Sequence, residues 1–284
     1  MLVRGRDTRM RIPLVSISLV SLAVIGLSGC GDGFKVENGR VAYESWNESQ
    51  GKVTNYGEDA DPRTFQPLDH DKNARAIYAR DARHVFMLIH TRPVTVEAAD
   101  PASFTIFTID GVYAKDNNRV YYWGVELKGA DPSTFRVLQT PFSRDSKRAF
   151  VVTTEIPVHK IESFEVVHTP GVHILPWGNA PPVCSSDGIK GSSSLRPEPY
   201  GATLGYSRDG ISYYLGGKEI KGVDYKSFVV LNERYAKDKN FVYYLGDPIA
   251  DADPASFQVV GPTVIRGCDK NHEYVDGKHT NAVK

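Results

Sequence analysis

Apolar and polar positions along the chain follow a phrase that recurs. Tyr113 to Gly124 reads YAKDNNRVYYWG, and Tyr235 to Gly246, 122 residues later, reads YAKDKNFVYYLG. Aromatic starts at Phe34, Tyr78, Tyr113, Phe142, Tyr206 and Tyr235 are each followed three positions on by an acidic residue, Asp in five of the six copies. A partial seventh copy runs from Cys268 to Gly277. The shortest spacing, 29 residues, is the unit length, and longer spacings mark insertions.

Val-Tyr-Tyr and its relatives favour strands, so each phrase predicts a β-hairpin. The turn pairs Asn38-Gly39, Asn117-Asn118 and Lys239-Asn240 are expected to take positive φ. A two-residue turn sets Glu37 opposite Arg40, Asp81 opposite His84, Asp116 opposite Arg119, Asp145 opposite Arg148 and Asp269 opposite His272. The recurrence of acid facing base predicts cross-strand charge pairs, each worth ~0.2 to 1 kcal/mol when exposed. Three pairs further out, Tyr113 faces Tyr122 and Tyr235 faces Tyr244, while Ala114 and Ala236 face Tyr121 and Tyr243. Adjacent strand residues point to opposite faces, so the doublet offers one ring to each neighbouring hairpin. A lone hairpin is marginal in water, and stacking is what would supply a core.

A second phrase, Asp-Pro-x-[Ser/Thr]-Phe, begins at Asp61, Asp100, Asp131 and Asp253. Asp caps a helix start and Pro suits the first helical position, which predicts a single capped helical turn planting its Phe inward. Phe164 and Phe228 keep the ring in two copies that lack the Pro.

The repeat, clearest from Tyr235 to Tyr244, resembles the DKNYY repeat family of bacterial envelope proteins over nearly all of residues 34–278. Copies two and four depart from the family phrase, with Phe86-Met87 and Phe150-Val151 in place of the doublet. The resemblance implies no enzyme. The fold expected from the repeats is all-β, a tandem array of stacked hairpins joined by short helical turns, solenoid-like or curled.

Two stretches break the period. Tyr43 to Asp61 includes Trp46 and reads as a longer surface loop of a terminal, capping unit. Between Phe164 and Tyr206 lies an insert dense in Pro, Gly and Ser, holding Trp177 and Cys184. Loops of this length are either functional or plain connectors. The resulting organisation is a signal segment at 1–29, hairpin repeats at 30–164, the insert at 165–205 and further repeats at 206–284.

The N-terminus changes the picture of where such an array sits. Arg4, Arg6, Arg9 and Arg11 precede an apolar stretch, Ile12 to Leu27, shorter than the ~20 residues that span a bilayer. Leu27-Ser28-Gly29-Cys30 then resembles the bacterial lipobox, which implies lipid on Cys30 and cleavage on its N-terminal side. Acyl chains, palmitate among them, contribute ~0.8 kcal/mol per buried CH₂, enough in combination to hold a soluble domain on a membrane. The expected location is therefore the bacterial cell envelope, lipid-anchored, with the array facing periplasm or exterior. Residues 30–284 hold 30 basic and 33 acidic side chains, a balance of −3 with nothing to favour a nucleic-acid partner.

With Cys30 assigned to lipid, Cys184 and Cys268 form an even pair in an oxidising compartment, which predicts a disulfide worth ~4 kcal/mol in the chain-entropy model. Two buried thiols are the alternative. His159, His168 and His173 match no zinc spacing, and Asp59-Ala60-Asp61 and Asp251-Ala252-Asp253 lack the rest of a calcium loop, so no metal or cofactor is expected. No nucleophile elbow or phosphate-cradling loop occurs, and acids that recur once per repeat read as structure. The sequence thus favours a non-catalytic binding or structural scaffold with an envelope protein or glycan as partner. A glycan- or peptidoglycan-binding protein using Trp46 and Trp177 is the main alternative; an envelope hydrolase is a weaker one.

Overall fold

The computed structural model describes residues 33–49, 51–57, 59–71, 74–89, 91–167, 172–174, 183–185, 188–190, 194–196, 205–260 and 266–282. Cys30 and Trp177 lie outside them. The described residues form seven small antiparallel sheets, one per repeat, and two two-stranded ribbons within 172–196; no sheet closes into a barrel and no α-helix is present among them.

The predicted hairpin is the inner half of a larger unit. In the third repeat the pair Tyr113–Lys115 and Val120–Tyr122 is flanked by Thr105–Ile106 on one side and Val125–Glu126 on the other. Every repeat after the first has this four-stranded order, and the first has three strands.

The inner register is the one the aromatic phrase dictates. Tyr113 pairs with Tyr122 and Ala114 with Tyr121; Tyr235 pairs with Tyr244 and Ala236 with Tyr243. Tyr121 packs with Tyr78 and Phe104 of the preceding repeat's side, whereas Tyr113 packs with Phe150 of the following one. The Phe of each Asp-Pro phrase sits between these rings. Phe104 lies 5.3 Å from Tyr78 and 5.6 Å from Tyr121, and Phe257 lies 5.4 Å from Tyr235 and 5.5 Å from Tyr274. The same order joins Phe34, Phe65 and Phe86, then Tyr206, Phe228 and Tyr243. Such tilted and edge contacts between rings contribute ~0.5 to 1.5 kcal/mol each beyond their burial. The small residue of the phrase makes room: Ala79, Ala114, Ser143, Ser207 and Ala236 are fully buried opposite a ring, and at Gly267 even a Cβ would stand 2.3 Å from the Phe257 ring.

Three local expectations are corrected. Among the predicted turn pairs only Asn38-Gly39 has positive φ at both residues, 50° and 70°. Elsewhere the left-handed pairs occupy the next turn, at Trp123-Gly124, Leu245-Gly246 and Asp276-Gly277, because the first turn is organised by a side chain described below. The Asp-Pro phrases at Asp61, Asp100 and Asp131 are isolated turns closed by a bond from residue i+3 to i, such as Thr64 N–H to Asp61 O at 3.2 Å, and the one at Asp253 is closed by Phe257 N–H to Asp253 O at 3.0 Å; among the described residues only Ile161–Ser163 winds as a 3-10 helix. The stretch after Tyr43 is no loop: strand Arg40–Asn47 runs on and pairs with Gly51–Tyr56, placing Trp46 opposite Lys52.

The long insert leaves the array intact. It connects Glu165–Val166 to Tyr206–Arg208, which pair directly, Glu165 with Arg208 and Val166 with Ser207. Phe142, Phe164 and Tyr214 share one core cluster, so ring packing continues past the interruption.

Candidate functional site

The recurrent acid is the first place to look for chemistry, and its surroundings occupy it. Asp116 is 3% exposed. Its Oδ1 accepts the N–H groups of Asn118 and Arg119, each at 2.7 Å, which sets the turn without left-handed residues. Its Oδ2 accepts the Asp100 N–H at 3.0 Å and the Tyr121 hydroxyl at 2.7 Å. Asp81, Asp145, Asp209, Asp238 and Asp269 repeat the pattern on their own turns. Each reaches back to the preceding linker as well, at the N–H groups of Asp61, Asp131, His159 with Lys160, Asp224 and Asp253. A tyrosine hydroxyl completes four of the six, from Tyr121, Tyr214, Tyr243 and Tyr274; Phe86 and Phe150 stand at that position in the other two.

Acid facing base therefore has another cause than charge pairing. Arg119 donates to the Ala98 carbonyl at 3.0 Å and lies 3.7 Å from Glu126, and Arg148 turns to the Gly129 carbonyl and to Glu155. His84, 3.7 Å from Asp81 Oδ2, is the nearest approach to the expected pair.

Burial alone would push these carboxyls up. Backbone amides outweigh it, so Asp81, Asp116, Asp238 and Asp269 sit below the ordinary carboxylate range, and Asp209 falls to about 2. The partner hydroxyls of Tyr121, Tyr214, Tyr243 and Tyr274 are pushed up, by burial first and by the neighbouring carboxylate second. A carboxylate in this state neither gives nor takes a proton near neutrality.

The other polar letters of the repeat are spent in the same way. The Ser or Thr of the linker phrase accepts the next hairpin turn's N–H, from Thr64 to Ala82, Ser103 to Asn117, Thr134 to Ser146, Ser227 to Lys239 and Ser256 to Lys270. The basic residue before the Asp ties to the following linker: Arg80 donates to Pro101 O, Lys115 to Pro132 O and Lys237 to Pro254 O, at 2.8 to 2.9 Å. Asp59 and Asp251, the first acids of the calcium-like fragments, hold left-handed φ of 61° and 62°; Ala98, Gly129 and Gly222 adopt the same φ region at the equivalent place. Among the described residues no three His, Cys, Asp or Glu side chains cluster as a metal site.

Surface features outside the repeat phrases are what remain. Trp46 is 71% exposed. Alternation along Arg40–Asn47 places it on the sheet face that carries Arg40 and Glu44, and cross-strand pairing adds Thr54 and Tyr56 to that face. Where this sheet meets strand Arg92–Thr95 of the second, a cleft of about 610 Å³ opens, lined by Arg40, Thr54, Tyr56, Asp59, Arg92 and Thr95 among others. The Arg40 guanidinium lies 4.4 Å over the Tyr56 ring, and Asn55 Nδ2 donates to Thr91 Oγ1 at 2.7 Å across the seam. No pattern in the sequence points to this cleft, because it forms between edge strands of two different units.

Cys268 is buried. Cys184 lies in Val183–Ser185, paired with Ile189, and the partner strand Gly188–Lys190 runs beside Gln258–Val260, whose Gln258 pairs with Cys268. The side chain of Cys184, like all of Trp177 and Cys30, is outside the described residues.

A family model, described as DKNYY family, matches residues 59–154 and 206–283, more than half of the chain. No curated protein and no solved structure matches.

Proposed function

Because the chain belongs to the DKNYY family, we propose that it is a non-catalytic lipoprotein of the bacterial cell envelope, anchored through lipid on Cys30, whose stacked units form an open, solenoid-like scaffold. The observation that carries this reading is the fate of the repeated acids. All six buried aspartates have both carboxylate oxygens filled by hydrogen bonds from the chain itself, which supports reading the recurring acids as joints of the fold rather than as catalytic groups. The array presents surface to a partner, in the manner of repeat proteins generally. A Cys184–Cys268 disulfide would fasten the insert to the last unit, and the adjacency of Gly188–Lys190 to Gln258–Val260 supports it.

Crosslinking in intact cells tests the scaffold. The expected result is a defined protein partner trapped with the wild-type chain, and its loss from the membrane fraction with Cys30→Ala. Turnover of an envelope substrate that depends on a single side chain would overturn it. The exposure of Trp46 favours a second reading, glycan binding, in which Trp46→Ala abolishes retention of the protein on polysaccharide.

A further inference from the structure

The cleft between the first two sheets differs chemically from everything the repeat builds. Its residues come from the start of strand Arg40–Asn47, from strand Gly51–Tyr56, from Asp59 and from strand Arg92–Thr95 of the second sheet. The approach of the two sheets is close: a Cβ on Gly57 would stand 3.3 Å from Pro93 Cβ, so the seam is packed at its base and open above. Two exposed guanidiniums, Arg40 and Arg92, reach this opening, and neither forms an ion pair among the described residues. Among the repeat arginines, Arg119, Arg148 and Arg208 each meet a glutamate, while Arg136 is exposed without an ion pair among the described residues but does not line this cleft.

We infer that this cleft binds an acidic polysaccharide, the two guanidiniums taking the sugar carboxylate and the flanking polar side chains taking hydroxyls. Guanidinium forks match carboxylate geometry in a way a point charge does not. Thr54, Thr95 and Asp59 supply donors and acceptors for hydroxyl groups along the same opening. Trp46 sits on the same sheet face four residues from Ala42, whose partner is Tyr56, a separation of about 13 Å at the rise of a strand. That distance spans more than one sugar ring, which suits a polymer with successive residues on the arginines and on the indole face. A neutral glycan would leave the guanidiniums without a charged partner. A lone phosphate would use them but not the tryptophan.

The inference rests on the second, glycan-binding reading and adds charge selectivity and a location to it. The test uses the full chain in detergent, with immobilised polygalacturonate, a carboxylated polysaccharide, against immobilised dextran, a neutral one, and inorganic phosphate as competitor. Retention on polygalacturonate alone is expected, weakening with added salt. Arg92→Gln should lower affinity about tenfold or more and Arg92→Lys less, while Arg136→Gln, an exposed arginine on another unit, leaves it unchanged. Arg92 is exposed, so its variants fold; Arg40→Gln, which disturbs Tyr56, serves as the second variant. Equal retention on dextran, an Arg92→Gln protein that binds as wild type, or displacement by millimolar phosphate as readily as by the free uronic acid would overturn the proposal. If Trp46→Ala abolishes binding while Arg92→Gln does not, glycan binding stands and the charge-selective cleft falls; retention on neither matrix sinks both.

Discussion

Replacing Asp238 by Asn keeps shape and removes charge, which isolates what the buried acid does. In the native unit Oδ1 accepts from Asn240 N–H at 2.7 Å and Phe241 N–H at 2.8 Å, and Oδ2 accepts from Asp224 N–H at 2.7 Å and Tyr243 Oη at 2.8 Å. An asparagine oxygen can keep the two turn bonds. Its NH₂ then confronts the Asp224 N–H, donor against donor, and one linker amide loses its acceptor. A hydrogen bond to a charged group contributes ~1.5 to 3 kcal/mol, and leaving a buried partner unsatisfied costs a further ~1 to 3. Asp238→Asn should therefore destabilise by about 3 kcal/mol. Tyr243→Phe removes only the hydroxyl, a change already present at Phe86 and Phe150 in sister units, and should cost ~1 kcal/mol. Urea titration followed by circular dichroism reads both, and hydrogen exchange at the Asp224 amide localises the damage. If Asp238→Asn proved no more costly than Tyr243→Phe, the acid would be an ordinary surface residue and the reasoning would fail.

Acid should unfold the array in a defined window. The Asp209 carboxyl is depressed from 3.8 to about 2, so its contribution is complete above pH ~4 and is lost as pH falls through 2, about 2 kcal/mol in all; stability measured by thermal midpoint should be flat near neutrality, decline below pH ~4, and decline less steeply in Asp209→Asn. Gly267→Ala should lower the midpoint, at ~1 to 3 kcal/mol, because the new methyl overlaps the buried Phe257 ring. Ser227→Ala removes the acceptor of the Lys239 N–H and the donor to Asp224, and should cost ~1 kcal/mol with faster exchange at the Lys239 amide.

The parts of this architecture that were legible in the chain were those with a residue-level signature. A ring pair such as Tyr235 and Tyr244 sets its own register, because a slip of one residue would send both rings to the wrong face. The outer strands left no trace, since Thr105–Ile106 or Val125–Glu126 is two residues long and carries no period. The aspartates recur at a fixed place in the phrase, but their partners are chiefly backbone N–H groups, which every residue has, so the sequence marks the acid and not its role, whereas the opposed arginines suggest a charge pair that does not form. Ser103 likewise bonds Asp100 within its own turn, while its second bond, to Asn117 N–H, crosses to the next hairpin. Trp46 falls outside the repeat phrase, and it is exposed. Arg40 and Arg92 meet only through the docking of two sheets, which no spacing encodes.

Cutting the long insert measures most directly whether the stack is continuous through it. A protease site placed at residues 191–193 of the full chain would be cleaved under reducing conditions, and the product passed over a sizing column. Packing of Phe142, Phe164 and Tyr214, with Asp209 accepting the His159 and Lys160 amides, predicts that the two fragments elute together as one folded species. Fragments that separate without denaturant, each keeping its own β-structure, would contradict a single array.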